Sequence, residues 1–251
     1  MKILCFSILL VFPLIAFCQN RTNNGIPQNK AKENIHLSVT PGVDDEFNRE
    51  IIKTLRLFLN SKDSSYTENR YWKKSDFDRY ICPYAYLVRL EKYNVGQPSL
   101  MQIETTDSLN VRVVKLAYIK YNDTTKENII NGIYNIVATM EDGKIVFSRY
   151  LDYFTRNWKS YKKGSILYKI SPQREINWND VERQQKDIDS LCKFLNCDPI
   201  SAEFYSCGSM SEYVETWDCS FFPQPHYYTF GGTLMPKNII SGCSNSDYYF
   251  H

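Results

Sequence analysis

The sequence has no excess of charge of either sign and no long apolar segment beyond its first 18 residues. Those residues contain Lys2 and no acidic residue, so 29 of the 30 Lys and Arg residues remain against 28 Asp and Glu. A chain so close to neutrality has no field that attracts nucleic acid or acidic lipid. We therefore expect no nucleic-acid partner, and no stable membrane span in the mature protein.

Motifs of several common enzyme classes are also missing. The chain contains no G-x-S-x-G, no phosphate-binding glycine loop and no G-x-G-x-x-G, so it gives no support to serine hydrolase, nucleotide-binding or dinucleotide-binding functions. Histidine occurs three times, as His36, His226 and His251. Thiolate–imidazole catalysis through His226 is conceivable, but nothing in the sequence brings a particular cysteine to it.

The first 18 residues have the pattern of a secretory signal peptide. A charged start at Lys2 precedes an apolar run from Ile3 to Phe17, after which the chain turns polar at Gln19. The run is shorter than the roughly 20 residues that a helix needs to span a bilayer, and Pro13 would break such a helix. We therefore expect a secreted or periplasmic protein whose residues 1–18 are removed.

The alternative is a lipoprotein anchored at Cys18. Residues 15–18, Ile-Ala-Phe-Cys, are similar to a lipobox. Such boxes carry Gly, Ala or Ser directly before the lipidated cysteine, whereas this chain has the bulky Phe17 there. Cleavage after Cys18 is therefore the preferred interpretation.

Residues 19–43 separate the signal peptide from the folded part. They show almost no apolar periodicity, so we expect a flexible leader. From residue 44 large apolar residues recur at helical spacing after an acidic start, which predicts an amphipathic helix to about Asn60. These residues are Phe47, Ile51, Leu55 and Phe58. A second helix is predicted through residues 75–81, where Pro83 interrupts or ends it.

Between residues 110 and 171 the apolar period switches to two. The strand-like runs cover 111–118, 130–140, 145–154 and 165–170. Asp142-Gly143 and Lys163-Gly164 have the composition of tight hairpin turns. The pattern predicts an α+β domain over 44–172, with N-terminal helices and a curved antiparallel sheet, whose element order is similar to cystatin-like or nuclear-transport-factor-like rolls.

Residues 173–251 have a different organisation. Asn177 and Asn179 are suited to cap a helix that ends near Asn196, and a short strand follows at 202–205. A further helix is predicted from Ser209 or Ser211 to Trp217, and an apolar strand at 238–240. Alternating helix and strand predicts a second, α/β-type lobe.

Six cysteines remain after removal of the signal peptide, and five of them lie in the last sixty residues. These five are Cys192, Cys197, Cys207, Cys219 and Cys243, and the sixth is Cys82. In an oxidising compartment they predict disulfides, but six cysteines allow 15 pairings and the sequence does not choose among them. A cysteine zinc cluster is disfavoured because Cys192 and Cys197 have no second close pair.

The C-terminal end carries a family resemblance. Gly231-Gly232, the apolar residues 238–242 and the final Asn245-Ser246-Asp247-Tyr248-Tyr249-Phe250-His251 resemble the approach to the H-E-x-x-H helix in exported gluzincin-like metallopeptidases of Gram-negative envelopes. The resemblance covers about 175–251 and implies a partial zincin-like lobe. It also implies that His251 matches the first zinc ligand, and that a complete family member binds zinc.

The chain departs from this family at the residues that catalysis requires. The glutamate and the second histidine of the motif would follow residue 251, and catalytic zinc needs three protein ligands. The resemblance thus implies a metallopeptidase-like protein that is inactive and without a cofactor as given. The alternative is a non-catalytic periplasmic or secreted binding or structural module, with a peptide or an envelope component as its partner.

The signal peptide gives a first testable prediction. Mass spectrometry of the native protein should find a mature chain that begins near Gln19, because the apolar run stops at Cys18. An intact Met1 would contradict export, and a diacylglyceryl group on Cys18 would show the lipoprotein instead.

Overall fold

A computed structural model describes residues 45–92, 97–222, 233–235 and 238–243. Within these ranges helices and mainly antiparallel strands confirm the α+β class. The helices are α1 (Glu46–Ser61), α2 (Lys74–Arg79), α3 (Ala85–Lys92), α4 (Tyr150–Phe154), α5 (Trp178–Leu195) and α6 (Met210–Glu215). The strands are β1 (Gln97–Thr105), β2 (Val111–Asn122), β3 (Glu127–Glu141), β4 (Lys144–Arg149), β5 (Lys159–Lys163), β6 (Ile166–Ile170), β7 (Ala202–Ser206), β8 (Cys219–Phe221), β9 (Thr233–Met235) and β10 (Ile239–Gly242).

The first sheet is antiparallel and has the order β1-β2-β3-β4. Strand β8 pairs with β3 at Ile133 and Tyr134, next to the residues of β3 that pair with β4. Asp142 and Gly143 both have positive φ in the turn between β3 and β4, as the sequence predicted. The late strand β8 therefore completes a sheet built mainly from residues 97–149.

Helix α1 covers this sheet with the apolar face that its spacing predicted. Asp45 caps the helix by accepting a hydrogen bond from the backbone N–H of Asn48 at 2.6 Å. Phe58 lies with its ring centroid 5.1 Å from that of Trp72 and 5.6 Å from that of Phe147 on β4. Large aromatic side chains thus fill the space between the helix and the sheet.

The second sheet has the order β5-β6-β7-β10-β9 and is mixed. Strands β6, β7 and β10 run parallel, and β5 and β9 are antiparallel edge strands. Gly164 has positive φ in the predicted turn between β5 and β6. The sheet takes strands from both sides of residue 172, and the domain boundary placed there stays a prediction.

Helix α5 packs on this second sheet through Val181 and its neighbours. Asn177 caps its N-terminus, accepting hydrogen bonds from the backbone N–H groups of Asn179 and Asp180. Asn196 ends the helix in the left-handed conformation. Both ends agree with the sequence prediction.

A buried ion pair joins the place where the chain leaves the first sheet to the place where it returns. Arg149 is the last residue of β4, and its Nε donates to Asp218 Oδ2 at 2.7 Å. Asp218 directly precedes β8, and its Oδ1 accepts from the Leu151 N–H at 2.8 Å. Its backbone carbonyl accepts from the Asn135 N–H at 2.7 Å. One aspartate therefore fixes β4, α4, β3 and β8 relative to one another.

Burial dominates the titration of this pair. It raises the pKa of Asp218 to about 6, and the attraction of Arg149 offsets only part of that rise. Burial alone would lower the pKa of Arg149, but the carboxylate of Asp218 keeps it above its ordinary value. The free-energy cost of removing both charges from water thus offsets much of the free energy gained from their attraction.

A second charged cluster connects α2 and α4 to the second sheet. Arg79 on α2 donates to Asp152 of α4 and to Glu203 of β7, each at 2.5 Å. The hydroxyl of Tyr205 donates to Glu203 at 2.7 Å. Every charge of this cluster has a partner inside it, so we assign it a structural role.

Three secondary-structure predictions were incomplete or wrong. Residues 150–154 form helix α4 and not the end of a strand, because the Leu151 N–H is turned onto Asp218. Pro83 lies between two helices and is followed by α3, which was not predicted. Strand β1 was also missed. Its residues alternate poorly and its pairing with β2 shifts register at Leu100.

The predicted disulfides are wrong for the described cysteines, all six of which are free thiols. Cys82 and Cys219 pack in the core beneath α1, and Cys207 packs in a separate cluster. Burial raises the pKa of Cys207 and Cys219 well above the ordinary thiol range. Disulfide formation proceeds through the thiolate, and a raised pKa keeps these thiols protonated. Cys207 and Cys219 therefore behave as small apolar side chains.

Among the described helices, none is both long and apolar enough to cross a membrane. The predicted signal peptide (1–18) and leader (19–43) lie outside the described residues.

The ion pair leads to a prediction on pH dependence. Asp218→Asn replaces the titrating carboxyl group by a neutral amide of nearly the same shape. In the wild type the folded-state pKa of Asp218 is raised, so its titration stabilises the fold below pH ~4, and this contribution is lost as the pH rises through about 6. The free energy of unfolding of the wild type, minus that of the variant, should therefore decrease from pH ~4 to pH ~6.

Urea unfolding at several pH values across this window measures the difference. Asp123→Asn, which changes an exposed aspartate, should keep the pH dependence of the wild type. A difference that widens as the pH rises would contradict the pKa direction given for Asp218.

Candidate functional site

The carboxyl ends of the three parallel strands of the second sheet meet at one edge. Ile170 of β6 is in register with Ser206 of β7, and Ser206 is in register with Gly242 of β10. The next residue of each strand is therefore placed side by side along this edge. These residues are Ser171, Cys207 and Cys243. In sheets with parallel strands, ligands bind in crevices outside such carboxyl ends.

Backbone hydrogen bonds continue past the strands and hold this edge in place. The Ser171 N–H donates to the Ser206 carbonyl at 3.0 Å, and the Cys207 N–H donates to the Gly242 carbonyl at 2.8 Å. The edge residues are consequently fixed by the sheet and not by a separate loop.

Glu212 on α6 is buried behind the residues that line the crevice, and we call it the floor of the site. Its carboxylate accepts from the Ser171 hydroxyl at 2.8 Å and from the Gly208 N–H at 2.6 Å. Ser209 caps the same helix by accepting from the Glu212 N–H at 3.2 Å. This reciprocal arrangement resembles a capping box, in which the glutamate reaches back past the cap residue. Helix α6 is thereby fastened to the edge of the sheet.

Position 208 needs a glycine because two segments of the chain approach each other closely there. A Cβ atom at this position would lie 2.8 Å from Cβ of Gln173 and 3.3 Å from the Ser171 hydroxyl oxygen. Any side chain would therefore push the segment after β6 away from the segment after β7. The absence of a side chain keeps the two segments together.

A polar crevice with a volume of about 330 Å³ opens above this floor. Its size is at the lower end of the range of about 300–1,000 Å³ that small-molecule sites occupy. Arg174 and Glu175 give the lining one charge of each sign. The lining residues are Gln173, Arg174, Glu175, Asn177, Cys207, Gly208 and Cys243.

The two thiols of the crevice are poor nucleophiles. Burial raises the pKa of Cys207 well above its ordinary value, and the carboxylate of Glu212 raises it further. Burial also raises the pKa of Cys243, although Arg174 acts in the opposite direction. Since the thiolate is the reactive form, the arrangement favours binding over nucleophilic catalysis.

His251, the expected zinc ligand, lies outside the described residues, as do His36 and His226. Within the part of the chain that the structure describes, no three His, Cys, Asp or Glu residues are grouped so that they could hold a metal ion.

Sequence reasoning missed the crevice itself, although one local signal was present. Cys207-Gly208-Ser209 followed by Glu212 contains the S-x-x-E spacing of a capping box directly after a predicted strand. That spacing locates a helix start at the end of β7. It does not reveal that Ser171 and Cys243 lie beside it, because their proximity depends on strand order.

Glu212→Ala tests the floor of the site. The change should lower the free energy of unfolding by about 2–4 kcal/mol, since it leaves the Gly208 N–H and the Ser171 hydroxyl without their acceptor and removes two hydrogen bonds to a charged group. Chemical denaturation measures the loss. Glu182→Ala is the matched control. Glu182 is exposed, and its one ion pair among the described residues, with Lys163, is long at 3.9 Å, so the change should alter the free energy of unfolding by less than about 1 kcal/mol.

No protein-family model, no curated protein and no solved structure matches this chain, so the site is interpreted from its own geometry and chemistry.

Proposed function

We propose that this chain is an exported, non-catalytic binding module whose ligand occupies the crevice at the carboxyl edge of β6, β7 and β10. The observation that carries the proposal is the register of the three strands, which places Cys207 and Cys243 on the lining of an open polar space, with Ser171 buried beside them. The raised pKa values of the thiols support binding and not covalent chemistry.

The charges of the lining suggest the class of ligand. Arg174 donates one hydrogen bond to the Cys207 carbonyl at 3.4 Å, and its guanidinium can pair with a ligand carboxylate as well. Glu175 offers a carboxylate suited to an ammonium group. Glu212 is engaged with Ser171 and Gly208 below the crevice. The ligand is therefore a small zwitterion, such as a free amino acid or a dipeptide.

The first sheet with α1 is the roll-like part of this proposal. Its element order, helices followed by antiparallel strands, supports the likeness to cystatin-like or nuclear-transport-factor-like rolls. Phe58, Trp72 and Phe147 fill the space between helix and sheet. We assign this part the role of a scaffold that carries the second sheet.

A second candidate is the peptidase-like protein implied by the resemblance over 175–251. It is favoured by the element order helix, strand, helix at Trp178–Leu195, Ala202–Ser206 and Met210–Glu215, which is the order the resemblance implies. In that case His251 would match the first zinc ligand of a complete family member. One histidine cannot supply the three protein ligands of a catalytic zinc, so metal analysis of this chain should find no stoichiometric zinc.

Binding of dipeptides tests the leading proposal. The mature protein should bind members of a dipeptide set with free termini in saturation-transfer NMR, and calorimetry should give their affinities. Arg174→Ala should weaken binding at least about tenfold, because a charge-assisted hydrogen bond is lost. Arg183→Ala, which changes an exposed arginine of α5 that pairs with Asp180, should leave the affinity unchanged.

Ligand analogues separate the two charges of the crevice. A C-terminally amidated dipeptide should lose the contribution of Arg174, and an N-acetylated one the contribution of Glu175. Equal affinity for all three forms, or no binding of any amino acid or dipeptide to the wild type, would contradict the proposal.

A further inference from the structure

The C-terminal end of α5 brings two cysteine side chains together. The backbone N–H groups of Asn196 and Cys197 both donate to the carbonyl of Cys192, the second of them at 3.0 Å. Asn196 has φ of 51° and ψ of 53°, the left-handed conformation that turns the chain back over the last helical turn. In this kind of helix ending, the residue after the left-handed one contacts the residue five positions before it. Here both of those residues are cysteines.

The two thiols are close enough to interact with each other. Burial raises the pKa of Cys192, and the hydrogen bond that its thiol donates to Cys197 raises it further. Both cysteines are free thiols in the structure, so no bond between the sulfur atoms imposes this contact. The backbone of the helix end is what holds the pair together.

This pair can also be reached from solvent. Cys197 is exposed and Cys192 is partly exposed. Three other cysteines, Cys82, Cys207 and Cys219, are buried. Because thiol–disulfide exchange requires contact between the attacking thiol and the oxidant, the pair at the end of α5 can react where the buried thiols cannot.

We propose that Cys192 and Cys197 are a reversible redox pair, which the structure shows in its reduced, dithiol form. The co-reactant is a small molecule that carries a disulfide, such as an oxidised low-molecular-weight thiol. Oxidation joins Cys192 to Cys197 covalently and locks the C-terminal end of α5 in the closed form that the hydrogen bonds already favour.

The exchange proceeds in two balanced steps. The Cys197 thiol loses its proton and attacks one sulfur of the co-reactant, so that a mixed disulfide forms and one thiolate leaves. The Cys192 thiol then loses its proton and attacks the sulfur of Cys197, which forms the intramolecular bond and releases the second thiolate. The two leaving thiolates take up the protons, so the protein loses two electrons and two protons and the co-reactant gains them.

The order of attack follows from the surroundings of the two thiols. Cys197 is the more exposed of the two and therefore meets the co-reactant first. Besides burial and the hydrogen bond to Cys197, the carboxylates of Asp189 and Asp198 also help to keep the proton on Cys192. Cys192 is thus the resolving thiol, which reacts once the mixed disulfide has formed.

The redox pair is separate from the crevice of the proposed function. Asn177 caps the N-terminus of α5 and lines the crevice, whereas Cys192 and Cys197 lie at the other end of the helix. The 18 residues of α5 extend about 27 Å. A dipeptide can bind whether the pair is reduced or oxidised, so failure of either experiment leaves the other proposal intact.

Equilibration of the purified protein with reduced and oxidised glutathione at a series of ratios tests the proposal. Alkylation of the remaining thiols and peptide mapping should find a bond between Cys192 and Cys197 in the oxidising mixtures and its loss in the reducing ones. Cys192→Ser should stop at a mixed disulfide of Cys197 with glutathione, because the resolving thiol is missing. A wild type that lacks the Cys192–Cys197 bond at every ratio would overturn the proposal.

Two substitutions of Asn196 separate the geometry of the helix end from mere nearness in the sequence. Asn196→Ala should lower the equilibrium constant for oxidation at least about fivefold, because alanine disfavours the left-handed conformation. Asn196→Gly is the matched control and should keep the wild-type constant within about threefold, since glycine adopts this conformation readily. Equal constants for the two variants would overturn the proposal, because nearness in the sequence alone would then account for the bond.

Discussion

The buried pair of Arg149 and Asp218 is the constraint on which the rest of the structure depends. The chain leaves the first sheet after Arg149, builds the second sheet, and returns to pair β8 with β3. Asp218 holds both ends of this excursion through its side chain and its carbonyl group. It does so with φ of +62°, a conformation that an aspartate tolerates better than most residues.

The geometry of the candidate site depends on the return of the chain to the first sheet at Asp218. Helix α6 lies between the second sheet and the returning β8, so its position is fixed on one side by Asp218 and on the other by Glu212. The floor of the crevice therefore cannot shift without disturbing the first sheet. This connection explains how a small polar site with little apolar lining keeps a defined shape.

Local sequence signals predicted most of the helices and turns. Helix α4 and the crevice depend on contacts between residues far apart in the chain, so they were not predicted. Asp142-Gly143 and the Asn177 cap act within a few residues, and each was predicted. Residues 150–154 alternate like a strand, yet they form a helix because Leu151 donates to Asp218, a residue 67 positions away in the chain. The crevice could not be predicted for the same reason. Ser171, Cys207 and Cys243 become neighbours only through the order of parallel strands, which no spacing in the sequence encodes.

The C-terminal end of helix α5 also bears on how the length of this chain can change in evolution. Three apolar side chains in its last two turns, Leu191, Phe194 and Leu195, are largely exposed. Asn196 ends these turns in a left-handed conformation that depends only on local backbone geometry. A turn could be inserted or removed before Asn196 without altering the core or the strand register, and surface segments of this kind tolerate length variation well. Such a change would alter the reach of the helix and the direction in which its end points. Helix α5 is thus a segment in which length can vary independently of the fold.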